Sequence, residues 1–297
     1  MIENSPIETL DADLVISSKL LEFIRCTKCQ SILIDGKRSL QCSQCGDVYP
    51  VIDNIPRFYC LTERETNLPS REMRNPETWT DWRHLNYEYI KTRLKDVPKP
   101  AIVLDVGAGP SHFKDLLNPY IHYSIDFKPY PDIDILTDLT KPLPIRSEYF
   151  DVIIMSNVLE HIPTPLILLQ EVYRVLKSGG KLIMVTPFLI KIHQAPYDFL
   201  RFTEYMFQYL FSGAGFSSYQ IDRIGNVVDV YTVVTRSLNK YLLTERSISK
   251  LRYLVIKNLL LIERKIHKAC IKTIMSDIRS QKDTIGYPQG YGCVAIK

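Results

Sequence analysis

The sequence predicts a doubly wound α/β domain behind a small metal-bound module. Three observations point there. Strand and helix signals alternate from about residue 100 onward. One apolar strand runs directly into a Gly-x-Gly turn. Two Cys-x-x-Cys pairs stand near the amino terminus. At 297 residues the chain is long enough for one large core and an appendage. Its 45% apolar and 24% charged content suits a folded water-exposed protein.

Cys26-Thr27-Lys28-Cys29 and Cys42-Ser43-Gln44-Cys45 are separated by twelve residues. Each pair can grip one ion from a tight turn, and four thiolates close a tetrahedral shell. Such a closed site leaves no open position for water, so the predicted zinc is structural. Cys60, Cys270 and Cys293 remain as unpaired thiols. Paired cysteines of this kind point to a reducing compartment, and the expected location is cytoplasmic. The first fifteen residues carry Glu3, Glu8, Asp11 and Asp13 and no apolar run, which speaks against a secretory signal. No uncharged apolar stretch of ~18 residues is present, so no membrane span is expected.

Leu20 to Arg25 before the first pair, and Tyr49 to Phe58 after the second, complete the module. With the cysteines they resemble the family of small zinc-binding methyltransferase activators, over about residues 17–60. Related ribbons stand ahead of methyltransferase domains, including a ribosomal RNA guanine methyltransferase family. The resemblance implies either a packing role or a role in substrate recognition. Residues 61–99 are expected to hold a polar linker and then a helix over 76–95, with Trp79, Trp82, Tyr87 and Ile90 on one face. The resemblance to methyltransferases implies that this helix covers the cofactor; plain core packing is the other reading of its tryptophans.

Ile102 to Asp105 reads as a buried strand, followed by Val106-Gly107-Ala108-Gly109 and then the start of a helix. Glycine lets the backbone approach a charged ligand closely. The third dinucleotide-fingerprint position is His112, which argues against a pyrophosphate cradle. Ile121 to Ile125 forms a second strand ending at Asp126, 19 residues after Gly107. That is where a doubly wound fold places the acid for a ribose diol; a plain loop aspartate is the alternative. Ile133 to Ile135 reads as a third strand, ahead of Thr137-Asp138-Leu139. Tyr149 to Met155 is almost continuously apolar, as a parallel strand covered on both faces should be, and it stops at Ser156-Asn157. Leu166 to Leu176 has helical periodicity and ends at Lys177-Ser178-Gly179-Gly180, before a strand over Lys181 to Thr186. Cys293 to Lys297 is the expected final strand.

The glycine turn, Asp126 and the Val158-Leu159-Glu160-His161-Ile162 run together resemble the class I S-adenosylmethionine (SAM) methyltransferases of type 11. The resemblance implies a seven-stranded Rossmann-like sheet of order 3-2-1-4-5-7-6 over residues 100–297. It implies that SAM is held by Asp105, Gly107, Ala108, Gly109, Asp126, Asp138, Leu139, Ser156 and Asn157, with Asp138 facing the adenine amino group. Glu160 and His161 are implied to fix the loop and line the cofactor; a catalytic His161 is the other reading. No Asn-Pro-Pro-Tyr signature follows the fourth strand, which argues against methylation of an exocyclic base nitrogen.

Chemistry is expected after the fifth strand, in His193-Gln194-Ala195-Pro196-Tyr197-Asp198-Phe199-Leu200-Arg201. A hydroxyl acceptor must lose a proton during in-line transfer. His193 or Asp198 is the candidate base and Arg201 the candidate anion holder; a mutual Asp198–Arg201 pair capping a helix at Thr203 is the alternative. A basic helical insert is expected at about 228–283. Its segment 231–283 holds twelve Lys and Arg against four Asp and Glu. Leu251, Val255, Leu259, Ile262, Ile266, Cys270 and Ile274 share one helical face. The insert is read as a lid or dimer face, as a peripheral contact with an anionic membrane, or as a track for RNA phosphates. The expected function is methylation of oxygen on a small-molecule, glycan or lipid-linked acceptor. The alternatives are an RNA methyltransferase and a catalytically silent partner.

Overall fold

The structure is a computed structural model that describes residues 16–59, 75–244 and 286–297, with short pieces between 254 and 266. The expected linker over 61–74, Cys60, Cys270, and the positions Leu251 and Ile274 of the insert lie outside the described residues.

The amino-terminal module consists of α1 (Ser18–Phe23) and an antiparallel sheet. Its strands are β1 (Leu33–Asp35), β2 (Ser39–Cys42), β3 (Val48–Ile52) and β4 (Ile55–Pro56), in the order β1-β2-β3-β4. Asp53 and Asn54 close the β3–β4 hairpin with φ of 55° and 62°. A two-residue turn needs left-handed backbone at both positions, and Asp and Asn tolerate it well.

The large sheet holds β5 (Ile102–Val106), β6 (Ile121–Asp126), β7 (Ile135–Leu136), β8 (Phe150–Ser156), β9 (Leu176–Pro187), β10 (Ser218–Ile224) and β11 (Gly290–Ile296). Its spatial order is β10-β11-β9-β8-β5-β6-β7. Numbered within the domain this is the 3-2-1-4-5-7-6 order expected from the sequence. β11 alone runs antiparallel, against both β9 and β10.

Strand residues alternate between two cores. Leu104, Ile153, Met155, Leu182 and Met184 face α4 (Pro165–Val175) and α5 (Glu204–Ala214). Val103, Val152, Ile154, Ile183 and Val185 face α2 (Asp81–Leu94). Covering on both faces is why these strands read as unbroken apolar runs. Helix boundaries follow local chemistry. The Thr80 hydroxyl accepts from the Arg83 N–H to start α2. Thr203 does the same for Met206 at α5, and Gly215, at φ 102°, ends it.

Several elements depart from the sequence reading. The expected helix over 76–95 is one turn at Pro76–Thr78 and then α2, so Trp79 lies outside it, and β11 begins at Gly290 rather than Cys293. After the glycine turn the chain makes further turns, and helix α3 spans only Lys114–Leu117. The third strand lies two residues later than expected, because Asp134 is occupied by the Ser124 N–H and hydroxyl. β9 begins at Leu176: Phe150 pairs with Leu176, then Val152 with Lys181, and residues between form a bulge. Helix α6 (Val227–Thr244) opens the insert. Among the described residues no helix is long and apolar enough to cross a membrane.

The small module is welded to the sheet. The Arg25 N–H donates to Pro144 O, the Arg146 N–H to Phe23 O, and the Phe58 N–H to Leu136 O. Arg57 forms a parallel bridge with Leu136 and so covers the edge strand β7. Phe23 is fully buried, with its ring 4.6 Å from Tyr123, 4.8 Å from Tyr149 and 5.3 Å from Phe150. The module and one face of the sheet therefore share a single core. Phe23→Ala is expected to lower the stability of the whole chain by about 3–5 kcal/mol in urea unfolding, with one transition rather than two.

Candidate functional site

Parallel sheets bind ligands at the carboxyl ends of their strands. Here β5 ends in the turn Gly107-Ala108-Gly109. The N–H groups of Gly107 and Ala108 donate to Ile125 O, at 2.8 and 3.2 Å. Gly107 has φ 68°, and a Cβ there would come within 2.4 Å of Val158. It is required by both conformation and packing. Gly109, with φ 55°, faces open space: a Cβ there would meet nothing within 4 Å. The turn thus leaves a backbone-lined cradle. Ser111 Oγ, in the same turn, is buried without a hydrogen-bond partner.

Two acids close the base of this cradle. Asp105 is 3% exposed and Asp126 4% exposed. Burial, then the neighbouring Asp126 charge, pushes Asp105 up to about 7. Burial pushes Asp126 up to about 6, although backbone N–H groups partly offset it. Asp126 Oδ2 accepts from the Gly109 N–H and Oδ1 from the Lys128 N–H, each at 2.8 Å. Two desolvated carboxylates with spare acceptor capacity suit a ligand that brings hydroxyl and ammonium donors. SAM has both, in its ribose diol and its amino group, so the residues present fit it. Asp138 turns one oxygen inward to the Thr140 N–H and hydroxyl; Leu139 behind it is buried.

Helix α2 roofs the site. Trp82 Nε1 donates to Asn157 Oδ1 at 2.8 Å, and Asn157 Nδ2 donates to Ser156 Oγ at 3.2 Å. With its amide turned to satisfy its neighbours, Asn86 accepts from Asn157 Nδ2 and donates to Trp82 O. Asn157 holds φ 55°, which aims its amide at the helix. Gly290 and Gly292 of β11 receive the rings of Trp82 and Tyr89; a Cβ would meet them at 2.1 and 2.4 Å. A cofactor-covering helix is what the sequence reading expects here, with core packing as the other role for its tryptophans; Asn86 and the two glycines are not part of that reading. Asn86, four residues after Trp82 on an otherwise apolar face, was the available signal.

The loop between β9 and α5 returns to the end of β8. The N–H groups of Phe199 and Leu200 donate to Glu160 O, at 3.0 and 3.1 Å. Asp198 and Arg201 form a two-pronged pair at 2.6 and 2.8 Å, and Asp198 Oδ2 also accepts from the His193 N–H. Arg201 first, with the His193 N–H, holds the Asp198 carboxyl well below the usual carboxylate range. Both Asp198 and Arg201 are therefore spoken for by each other. His193 sits beside Asp198, with Nδ1 at 3.2 Å from Oδ2, and faces Glu160 with Nε2 at 3.6 Å. The structure brings His193, Asp198 and Arg201 together and adds Glu160 and His161 to them.

The four cysteines also converge. Cys26 and Cys45 sulfurs are 3.5 Å apart, and Cys29 and Cys42 sulfurs 3.4 Å. All four lie within 4.8 Å of one another. Thiolates about 2.3 Å from a tetrahedral zinc sit ~3.8 Å apart, so the set fits that ion. The Tyr49 hydroxyl lies 3.1 Å from Cys26 Sγ and accepts from the Thr27 N–H at 3.2 Å. Its proton can go to the sulfur or to the Thr27 hydroxyl, which also lies 3.1 Å away. Beyond the module, Tyr59 donates through its hydroxyl to Phe127 O, in the loop after Asp126.

Residues 104–184, from β5 into β9, match the family model described as a methyltransferase domain. An uncharacterised protein of Methanocaldococcus jannaschii is 28% identical over 114 residues, 36% of this chain and 55% of that protein. The chain thus spans about half the length of that curated relative. A SAM-dependent methyltransferase from Archaeoglobus fulgidus aligns with 73% of this chain and 100% of its own, at 14% identity and TM-score 0.44. A complex of the Haloferax volcanii Trm112 methyltransferase activator with a methyltransferase aligns with 73% of this chain and 91% of its own, at 15% identity and TM-score 0.46.

Because Tyr49 supports a ligating sulfur, Tyr49→Phe is expected to weaken zinc retention about 10–100-fold. The rate of zinc transfer to a coloured chelator measures this.

Proposed function

We propose, from the premise that residues 104–184 form a SAM-dependent methyltransferase domain, that this chain methylates an oxygen on a small-molecule, glycan or lipid-linked acceptor. The observation that carries this reading is the pairing of two sites at the carboxyl ends of β5, β6 and β8. One is the cradle of Gly107, Ala108, Gly109, Asp105 and Asp126. The other is the acid–base cluster of Glu160, His161 and His193 on the adjoining turn and loop.

When bound, SAM supplies a methyl group on a positively charged sulfur, open to in-line attack. Asp126 would take the ribose diol, Asp105 the amino group through its carboxylate, and Asp138 and Leu139 the adenine. Ser156 and Asn157 close the floor beneath Trp82. The acceptor's proton is handled at the Glu160–His161–His193 cluster, where His193 is the more exposed histidine. Asp198 and Arg201 hold the loop that carries His193 and are assigned as positioning residues. The four cysteines hold structural zinc.

The insert supports the lipid-linked option among these acceptors. Val255, Leu259, Ile262 and Ile266 are helical and exposed, and the exposed Lys257 and Lys265 lie among them in the chain. Apolar and basic residues together on an exposed helix suit an anionic membrane surface.

Labelled SAM incubated with the protein and fractionated cell extract tests the acceptor directly: label is expected in glycan, lipid or small-molecule fractions, and label confined to RNA would overturn the assignment. SAM binding carries its own signature. Diol hydroxyls donate to the ionised form of Asp126, whose pKa in the free protein stands at about 6. Binding should therefore strengthen as pH rises from 5 to 8 and release a proton at the acid end. Asp126→Asn is expected to lose about tenfold or more in affinity and to reduce this dependence in calorimetry to the part that Asp105, pushed up to about 7, carries. His193→Ala should bind SAM as the parent does and turn over about 10²–10⁴-fold more slowly.

A further inference from the structure

Glu160 sits in the one-turn helix Leu159–His161 after β8 and is 0% exposed. Neither of its carboxylate oxygens has a hydrogen-bond partner. A carboxylate buried this way costs several kcal/mol unless a cation or proton meets it. The nearest groups are two imidazoles, His193 Nε2 at 3.6 Å and His161 Nε2 at 3.7 Å from Oε1, and the Arg201 charge acts on it without a hydrogen bond or an ion-pair contact.

Both rings are held from behind by acceptors. His161 Nδ1 lies 2.6 Å from Tyr197 O, which can only accept, so Nδ1 carries the proton. His193 Nδ1 lies 3.2 Å from Asp198 Oδ2, again an acceptor. In the neutral rings, both Nε2 lone pairs then converge on the same carboxylate oxygen. Three electron-rich atoms aimed at one point repel unless a cation stands between them. The spacing agrees: ligand atoms about 2.1 Å from one ion, at angles of 110–120°, are about 3.4–3.6 Å apart. A direct imidazolium–carboxylate contact would close to about 2.7–2.9 Å.

We propose that Glu160 Oε1, His161 Nε2 and His193 Nε2 bind a divalent transition-metal ion, at a site separate from the four cysteines. Two imidazoles and one carboxylate suit zinc, manganese, iron or cobalt rather than calcium or magnesium. The Tyr197 carbonyl and the Asp198 carboxylate are the outer acceptors that fix each ring's tautomer and raise its basicity. Arg201 in turn fixes Asp198. Three protein ligands leave a position free, and the His193 side chain, 26% exposed, puts it on the open side. A hydroxyl bound there would be acidified by the ion. That catalytic role rests on the methyl-transfer reading; binding of the ion does not.

The test adds cobalt(II) to the full chain with zinc kept in the cysteine site. One equivalent is expected, with the weak ligand-field spectrum of nitrogen and oxygen ligands and without thiolate charge-transfer absorption. Glu160→Gln, His161→Ala and His193→Ala should each weaken this uptake at least about tenfold. The inference is overturned by a parent protein that takes up no stoichiometric cobalt, by uptake with a thiolate signature, or by uptake that all three variants retain. SAM calorimetry on the same samples keeps the two readings apart. A parent protein that binds cobalt as described but not SAM would sink the proposed function and leave the metal site standing.

Discussion

Three carboxylates, Asp105, Asp126 and Glu160, are buried at the carboxyl ends of neighbouring parallel strands. Each is dehydrated, and each must be answered by something with positive or donor character. Asp126 is answered in part by backbone N–H groups, and in doing so it ties the Gly109 turn to the end of β6. Asp105 is answered by nothing stronger than its surroundings and rises accordingly. Glu160 draws two histidines to itself, and those histidines anchor the loop 188–203. The shape of the glycine turn, the path of the long loop and the placing of the exposed imidazole all follow from where negative charge has been buried. The sheet supplies the positions, and desolvation supplies the demand for ligands.

The cysteine module belongs to this same arrangement. It shares a core with the sheet through Phe23, and it lends a backbone bridge to the edge of β7. The chain leaving it passes Tyr59 against the loop after Asp126, and Phe127 of that loop faces Tyr197, 6.5 Å between ring centres. A continuous line of packed groups thus runs from the zinc-fitting sulfurs to both halves of the site. A packing role for the module is therefore the role that its contacts describe.

Much of this was legible in the sequence, for reasons that differ by element. Alternating signals made the doubly wound class legible, and the strand order came from the methyltransferase resemblance. The cysteine set was legible because metal geometry restricts spacing. A covering helix was expected from the resemblance, but the contacts that seat it were not legible, since Trp82 and Asn86 meet Asn157 only through the fold. The pairing of Asp198 with Arg201 was visible as one of two options, and spacing alone cannot choose between a residue that faces a ligand and one that faces its neighbour. The start of β9 at Leu176 was hidden because a bulge breaks the two-residue period that marks a strand.

Gly290 and Gly292 have a meaning beyond space for two aromatic rings. They lie in β11, the last strand of the sheet in chain order, whereas Trp82 and Tyr89 precede its first strand. The roof over the ligand is therefore seated on a surface that does not exist until the far end of the domain has joined the sheet. During synthesis, α2 emerges early and waits. The pocket is completed by contacts of large sequence separation, the kind that form late and slowly. A ligand that needs the roof will bind only to chains whose carboxyl-terminal strand is in place, so occupancy of the site doubles as a report that folding has finished.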